Sequence, residues 1–317
     1  MTDEKIKLSV IIPTHNRTAI LKKCLGALQK ATLAADSFEV IVSDDGSNED
    51  VKSGIGAFLD SKVPSFRYMR NEKTGANRAR NLAIKESQGA ILLFINDDII
   101  AAPGMLETHM LAHGCCPEEN TAILGRVRLA PEIQPTVFSN LHLDASFDLL
   151  EGREELDWRA FYTCNVSVKR SFLEKYGIFD EDMRWHEDLE LAERLSRHGL
   201  RVIYNSDALG YHWHDLDENG YLAIAAKEGG SLAAWYKKAP ELKKKLSLLG
   251  FYIGAPFLER IKYKVADLFI NGLTMPYVLD TARFFAPRKS SMALTLYRKA
   301  FQSIKRKAIR NELYRKD

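Results

Sequence analysis

The sequence predicts an α/β fold, a mostly parallel sheet followed by a helical, basic C-terminal extension. Three observations carry this expectation. Short apolar runs alternate with amphipathic helical stretches over the first two-thirds of the 317 residues. Several of those runs end in polar residues, two of them in adjacent carboxylates. From Phe257 onward the composition changes: 14 Lys and Arg stand against 5 Asp and Glu, a net of +9, while the rest of the chain carries −6 and the whole +3. The two parts are expected to meet different partners, and we place their boundary so that they cover 1–215 and 216–317.

Bulk composition narrows the class. Apolar residues make up 46% of the chain, enough for a sizeable core and too many for global disorder. Cys24, Cys115, Cys116 and Cys164 lack zinc-site spacing and do not form a disulfide framework, which fits a reducing cytosol. Met1 to Lys7 is polar and charged and leads straight into a strand, so no secretory signal is expected. No apolar run reaches the ~18 residues of a membrane span.

In chain order, Leu8–Ile12 reads as a short buried strand broken by Pro13-Thr14-His15-Asn16-Arg17. A helix follows, with Ile20, Leu21, Cys24, Leu25 and Leu28 at helical spacing. Phe38–Val42 is a second strand ending in Ser43-Asp44-Asp45-Gly46-Ser47, and Phe66–Met69 a third, weaker one. Gly75-Ala76-Asn77 opens a helix through Ile84. Next comes Ile91-Leu92-Leu93-Phe94-Ile95, a run that reads as buried on both faces and ends abruptly in Asn96-Asp97-Asp98.

Ligands of open α/β sheets sit at the carboxyl ends of strands. Two Asp residues there offer hard oxygen ligands suited to Mg²⁺ or Mn²⁺ carrying a phosphate. The plainer alternative is a solvated strand-to-loop turn. Asp44, Asp45, Asp97, Asp98 and the Pro13–Arg17 segment all follow predicted strands, so they should converge on one edge of the sheet.

Further along, Phe161 to Val168 alternates like a strand and precedes a helix from Arg170. A helix starting near Glu187 places Leu191 and Leu195 on one face, and its acidic first turn suits the positive end of the helix dipole. Val202–Tyr204 and Ala208–His214 read as a final strand pair, with His212 and His214 on one face.

By the segments Ser9–Arg17, Val42–Ser47, Gly75–Asn81, Asn96–Asp98 and Glu187-Asp188, in that order over roughly residues 6 to 215, the chain resembles a family 2 glycosyltransferase of the GT-A fold. That is the Rossmann-like, inverting, metal-dependent sugar-nucleotide class. The resemblance implies that Pro13, Thr14 and Arg17 line the nucleotide pocket. It implies that Asp44 accepts a hydrogen bond from the base, as a carboxylate suits the imide N–H of uracil or thymine and also guanine. An N-cap or Asx-turn would explain Asp44 equally simply. Arg80 would reach the diphosphate or the base edge, unless it is a surface helix residue; Asn81 reads as structural. Asp97-Asp98 fills the slot of the family's Asp-x-Asp motif, with Asn96 in the leading position. Asp97 would contact the ribose or metal-bound water, and Asp98 would coordinate Mn²⁺ or Mg²⁺. His212 would be a third ligand, with His214 the alternate. A carboxylate at the start of the Glu187 helix would take the acceptor's proton: Asp188, with Glu187 orienting or substituting. Trp185 would wall the acceptor pocket, or sit in the core.

The implied donor is a nucleoside-diphosphate sugar, a UDP-sugar by default with GDP and dTDP open. The acceptor is a hydroxyl of a carbohydrate, lipid-linked or protein molecule. A nucleotidyltransferase shares the architecture, but Pro13–Arg17 lacks its glycine-rich basic signature. A non-catalytic sugar-nucleotide scaffold is the third reading, and the intact acids argue against it. The C-terminal third mixes Phe, Leu, Ile and Tyr with Lys and Arg. Such helices could lie on the inner face of an anionic membrane, dock on an acidic domain, mediate self-association, or cap the fold with a solvated basic face. No nucleic-acid motif accompanies the charge.

Overall fold

The computed structural model describes residues 6–61, 64–72, 75–139, 141, 145–214, 216–288 and 291–315. The extreme N-terminus and the boundary residue Asp215 lie outside them. Nine strands form one sheet: β1 (Leu8–Thr14), β2 (Phe38–Asp44), β3 (Ser65–Arg70), β4 (Ile91–Ile95), β5 (Ile99–Ala101), β6 (Thr121–Leu129), β7 (Glu155–Leu156), β8 (Asn165–Lys169) and β9 (Arg201–His212). Their order is β3-β2-β1-β4-β8-β6-β9-β5, with β7 alongside β9. The fold is α/β of the GT-A type with a helical C-terminal region.

The sheet is mixed, where the sequence predicts a mostly parallel one. Pairs β1–β2, β1–β4, β2–β3 and β6–β9 are parallel. Pairs β4–β8, β6–β8, β5–β9 and β7–β9 are antiparallel. The alternation of strands and helices that signals parallel pairing holds only as far as β4. β1, β2 and β4 are buried along their whole length, as continuous apolar runs require. The helix Thr18–Leu28 buries Leu21, Cys24, Leu25 and Leu28. Each buried aliphatic side chain of this kind contributes roughly 1.5–3 kcal/mol relative to exposure.

Three predicted elements differ in extent. Pro13 does not end β1, which continues beside β2 to Thr14. Pairing with β4 stops earlier, at Ile11 opposite Phe94, so Pro13's missing N–H interrupts no ladder on that side. The strand expected at Phe161 begins only at Asn165, after a 3₁₀ turn at Trp158–Ala160. The expected strand pair at 202–214 is one 12-residue strand, β9, and His214 lies beyond its end rather than on a shared strand face.

The register of β6 against β9 shifts between Gly125 and Arg126. Asn165 serves this irregularity: its Nδ2 donates to the carbonyls of Arg126 (3.1 Å) and Ala208 (2.8 Å). A Cβ on Gly125 would come within 2.2 Å of that amide, so glycine is needed here for the close approach.

The chain divides into two compact units. The sheet unit comprises 1–134, 143–182 and 187–214, and the helical unit 135–142, 183–186 and 215–317. In the helical unit, Glu218–Lys238 packs along Ser291–Leu313, and Phe138, Tyr221, Tyr297 and Phe301 form its aromatic core. Two basic residues expected on a solvated face are buried instead. Lys305 donates to Glu228 (2.6 Å), and Arg306 pairs with Asp267 (2.5 Å). Among the described residues no helix is long and apolar enough to cross a membrane.

Candidate functional site

Register collects the predicted residues of the sheet unit. Thr14 at the end of β1 stands opposite Asp44 at the end of β2. β1 runs parallel to β4, so Asn96–Asp98 leave the sheet at the same edge. β8 runs the other way, with Asn165 opposite Ile95, and the segment before it therefore arrives beside the acids. Ile99 opposite His212 brings in the end of β9.

At the tip of β4 both carboxylates are buried. Asp97 accepts from Thr14 Oγ1 (2.7 Å) and from Arg17 Nη1 (2.8 Å). The second guanidinium nitrogen, Nη2, donates to Asp98 Oδ2 (2.8 Å). One arginine thus forks across two neighbouring acids. Burial pushes the Asp97 carboxyl up to about 6; Arg17 pulls against this and Asp98 adds to it. Asp98 Oδ1 is buried and accepts no hydrogen bond from the described residues.

His212 faces the same carboxylate, its Nε2 3.5 Å from Asp98 Oδ2. Its Nδ1 lies 3.1 Å from the His214 carbonyl. In the neutral tautomer that donates from Nδ1, Nε2 would be the atom offered to a metal. His214 contributes its main chain to this orientation. The main chain also fixes Asp98, whose carbonyl accepts from Trp213 N (2.7 Å).

Among the described residues, no group of three or more His, Cys, Asp and Glu side chains is arranged to hold a metal ion. The donors at β4 nevertheless suit a hard cation completed by phosphate and water. Mg²⁺ in particular is bound through one or two carboxylates plus substrate oxygens. An orphaned buried carboxylate oxygen is the kind of atom such an ion would satisfy.

Asp44 is fully buried, and both oxygens already accept bonds. Oδ1 takes Ser47 N (2.9 Å) and Ser47 Oγ (2.6 Å), and Oδ2 takes the Tyr68 hydroxyl (2.7 Å). The Asx-type turn is therefore present, whatever else Asp44 binds. Arg70 donates to the Ser47 carbonyl (2.9 Å) and, with Gly46, Asn71 and Glu72, lines a cavity of about 410 Å³. Pro13 is buried inside β1.

The other acids reach the site through the helix Ala76–Glu86. Asn77 Nδ2 donates to the Asp180 carbonyl (2.8 Å). Asn81 donates to the Phe179 carbonyl (2.9 Å) and accepts from Phe179 N (3.1 Å). Between them Arg80 donates to Glu187 Oε1 (3.0 Å) and lies over the Phe179 ring. Arg80 is buried, so it is not a surface helix residue, and its Nε has no partner among the described residues. The GAxRARN stretch thus acts as a clamp on the chain leading to Glu187 and Asp188.

Asp188 accepts from Leu189 N (2.8 Å) and, at 3.5 Å, from Thr163 N. It keeps some accessible surface, but its carboxyl is closely packed. Burial pushes it up to about 7, Glu187 adding to the rise and Arg80 opposing it. The Cys164 thiol, raised to about 12 chiefly by burial, is raised further by both Asp188 and Asp98. The two acid pairs therefore act on one neighbourhood. Among the described residues only two non-glycine residues have positive φ, Asn16 (54°) and His186 (59°). Each lies in a segment that delivers a site residue, Arg17 or Glu187.

Trp185 belongs to the helical unit, where its carbonyl accepts from Ser231 Oγ and Lys227 Nζ lies 5.3 Å from its ring. Sequence reasoning missed Tyr68, Arg70 and the Thr163 main chain. Arg70 had a signal, since it ends a predicted strand as Asp44 and Asp97 do.

Comparison with known proteins gives this geometry a context. Residues 9–118 match the family model described as glycosyl transferase family 2. A validoxylamine A glucosyltransferase of Streptomyces hygroscopicus subsp. jinggangensis is 29% identical over 235 residues, covering 64% of this chain and 54% of the relative. A pre-mycofactocin glycosyltransferase of Mycobacterium tuberculosis is 28% identical, over 84% and 56%. The chain spans about half the length of these curated relatives. Among solved structures, the mannosyltransferase PcManGT from Pyrobaculum calidifontis, in complex with GDP-Man and Mn²⁺, superposes with a TM-score of 0.65. The identity is 19%, over 99% of this chain and 90% of that one. Staphylococcus aureus TarS 1-349 with UDP gives 0.55 at 16% identity, over 96% and 91%. These likenesses establish the fold.

Proposed function

We propose, from the match of residues 9–118 to the model of glycosyl transferase family 2, that this chain is an inverting glycosyltransferase. It would move a sugar from a nucleoside diphosphate to an acceptor hydroxyl of a glycan, lipid or protein. The observation that carries this reading is Asp98. It is buried at the tip of a sheet strand with one oxygen unsatisfied, and His212 and Arg17 are aimed at the other.

In this reading Thr14, Arg17 and Asp97 hold the ribose and diphosphate end of the donor. Pro13 and Asp44 bound the base pocket, with Tyr68 and Ser47 keeping the Asp44 carboxylate fixed. Asp98 would hold the divalent ion, Mn²⁺ or Mg²⁺, with Asp97 and His212 beside it. His212 is preferred over His214 because its Nε2 faces Asp98 at 3.5 Å. Bound there, the ion would neutralise charge developing on the departing diphosphate.

Asp188 takes the proton of the acceptor hydroxyl as its oxygen bonds to the anomeric carbon. The bond from that carbon to the diphosphate breaks on the opposite face, so one displacement inverts the centre. A carboxylate near pH 7 in acidity is well matched to this task. Arg80 holds Glu187 beside it and so positions the base.

The test uses the full chain. Melting temperature is followed with UDP, GDP and dTDP, each with Mn²⁺ or Mg²⁺, since ligands of the folded state raise it. A UDP-sugar is the first donor to try. Release of nucleoside diphosphate that depends on both cation and acceptor is the expected result. Binding without any acceptor-dependent release would leave a scaffold, and no nucleotide binding at all would sink the reading.

A further inference from the structure

The helix Phe257–Phe269 turns its apolar face outward. Phe257, Leu258, Ile261, Val265, Leu268 and Phe269 are between 42% and 74% exposed. At about 100° per residue these six fill one continuous arc of about 120°. Lys264 borders one edge of the arc and Lys262 the other, both exposed. The opposite face is the packed one. Tyr263 lies beneath Arg306, and Asp267 holds Arg306 (2.5 Å) and Arg310 (2.8 Å). The helix is thus anchored by its polar side, the reverse of an ordinary surface helix. Leu273 follows at 86% exposure, and Tyr277 and Phe284, one heptad apart on the next helix, are also exposed.

Beside the Lys262 edge a cavity of about 630 Å³ opens between this helix and Ser291–Leu313. Lys262, Arg298 and Lys299 line it, with Glu259 its one acidic lining residue among those described. Both sequence and surface are therefore cationic around the apolar arc, in the part of the chain that carries +9.

We propose that this face lies in the interface of an anionic lipid bilayer. The apolar arc would be immersed at the headgroup boundary, and Lys262, Lys264, Arg298 and Lys299 would meet lipid phosphates. An outward apolar arc rimmed by lysines on both sides is the pattern of a helix lying on a membrane. The helix has 13 residues and crosses nothing. Charge complementarity favours an anionic surface over a second copy of this chain, which would bring one cationic rim against another. The proposal stands apart from the transferase reading and survives its failure.

The experiment is flotation of the full chain with vesicles of phosphatidylcholine alone or mixed with phosphatidylglycerol. Binding to the mixed vesicles, weakened by high salt, is expected. Replacing Lys262 and Lys264 by alanine should weaken it by about fivefold each. Ile261→Glu with Leu268→Glu should abolish flotation while leaving the melting temperature and nucleotide binding unchanged. No flotation of the wild type, or unaltered flotation of the double glutamate variant, would overturn the proposal. So would light scattering that finds a concentration-dependent dimer dissolved by those same two glutamates.

Discussion

Two pairs of adjacent acids in the sheet unit, Asp97-Asp98 and Glu187-Asp188, are neutralised in opposite ways. Asp97 and Asp98 share one guanidinium, that of Arg17, whose side chain is 38% exposed. Glu187 is answered by Arg80, whose side chain is 5% exposed and locked between Asn77 and the Phe179 ring. The hydrogen bonds seen at the Asp188 carboxylate come from main-chain N–H groups. A half-exposed counter-ion can leave when another cation arrives; a buried one cannot without leaving a charge stranded, at a cost of roughly 3–5 kcal/mol. In the proposed function the first pair would exchange its positive partner, and the second would keep one member poised to gain a proton.

The largest effects should separate the pairs. Asp188→Asn is expected to lower turnover by about 10²–10⁴-fold, with calorimetric binding of nucleoside diphosphate and Mn²⁺ retained. Asp98→Asn should do the reverse in binding, weakening the cation and the diphosphate together by at least about tenfold. Equal loss of binding in both variants would erase the distinction.

A smaller effect sharpens it. Asp188 must be ionised to act, so transfer should rise with pH through about 7. Glu187 contributes to that high value, and Glu187→Gln should therefore shift the acid limb of the rate profile downward. A limb that stays in place would assign it to another group.

The smallest effect concerns stability. The folded state holds the Asp188 proton more tightly than the unfolded chain does, where a carboxylate titrates near ~3.9. Its contribution is fully present below that value and is lost as pH rises through about 7. Asp188→Asn removes the penalty of the buried charge. It should raise the melting temperature at pH 8 by a few degrees and change it little at pH 4. Thermal scans at the two pH values check this.

What the sequence could reveal follows from how local each signal is. β4 and its terminal acids were legible because a buried run and the turn that ends it are contiguous. Parallel order was legible through β4 for the same reason. The antiparallel insertion of β8 between β4 and β6 was not, since nothing local to Asn165 specifies a partner strand. Asn165 illustrates the limit: its amide serves a β-bulge formed by two other strands. Arg80 reads as a donor contact or a surface residue, and not as the partner of Glu187, because that acid is 107 positions away. Lys305 and Arg306 read as solvated for the same reason, their acids being 77 and 39 positions distant. The exposed apolar arc was visible only once the packed side of its helix was known.

β1 outruns its pairing with β4 by three residues, Ile12 to Thr14, a length of about 10 Å at strand rise. The fork between the two strands is therefore made by diverging main chain. Asp188→Asn should leave that main-chain fork in place, and so makes a suitable trap for crystallising an intact donor.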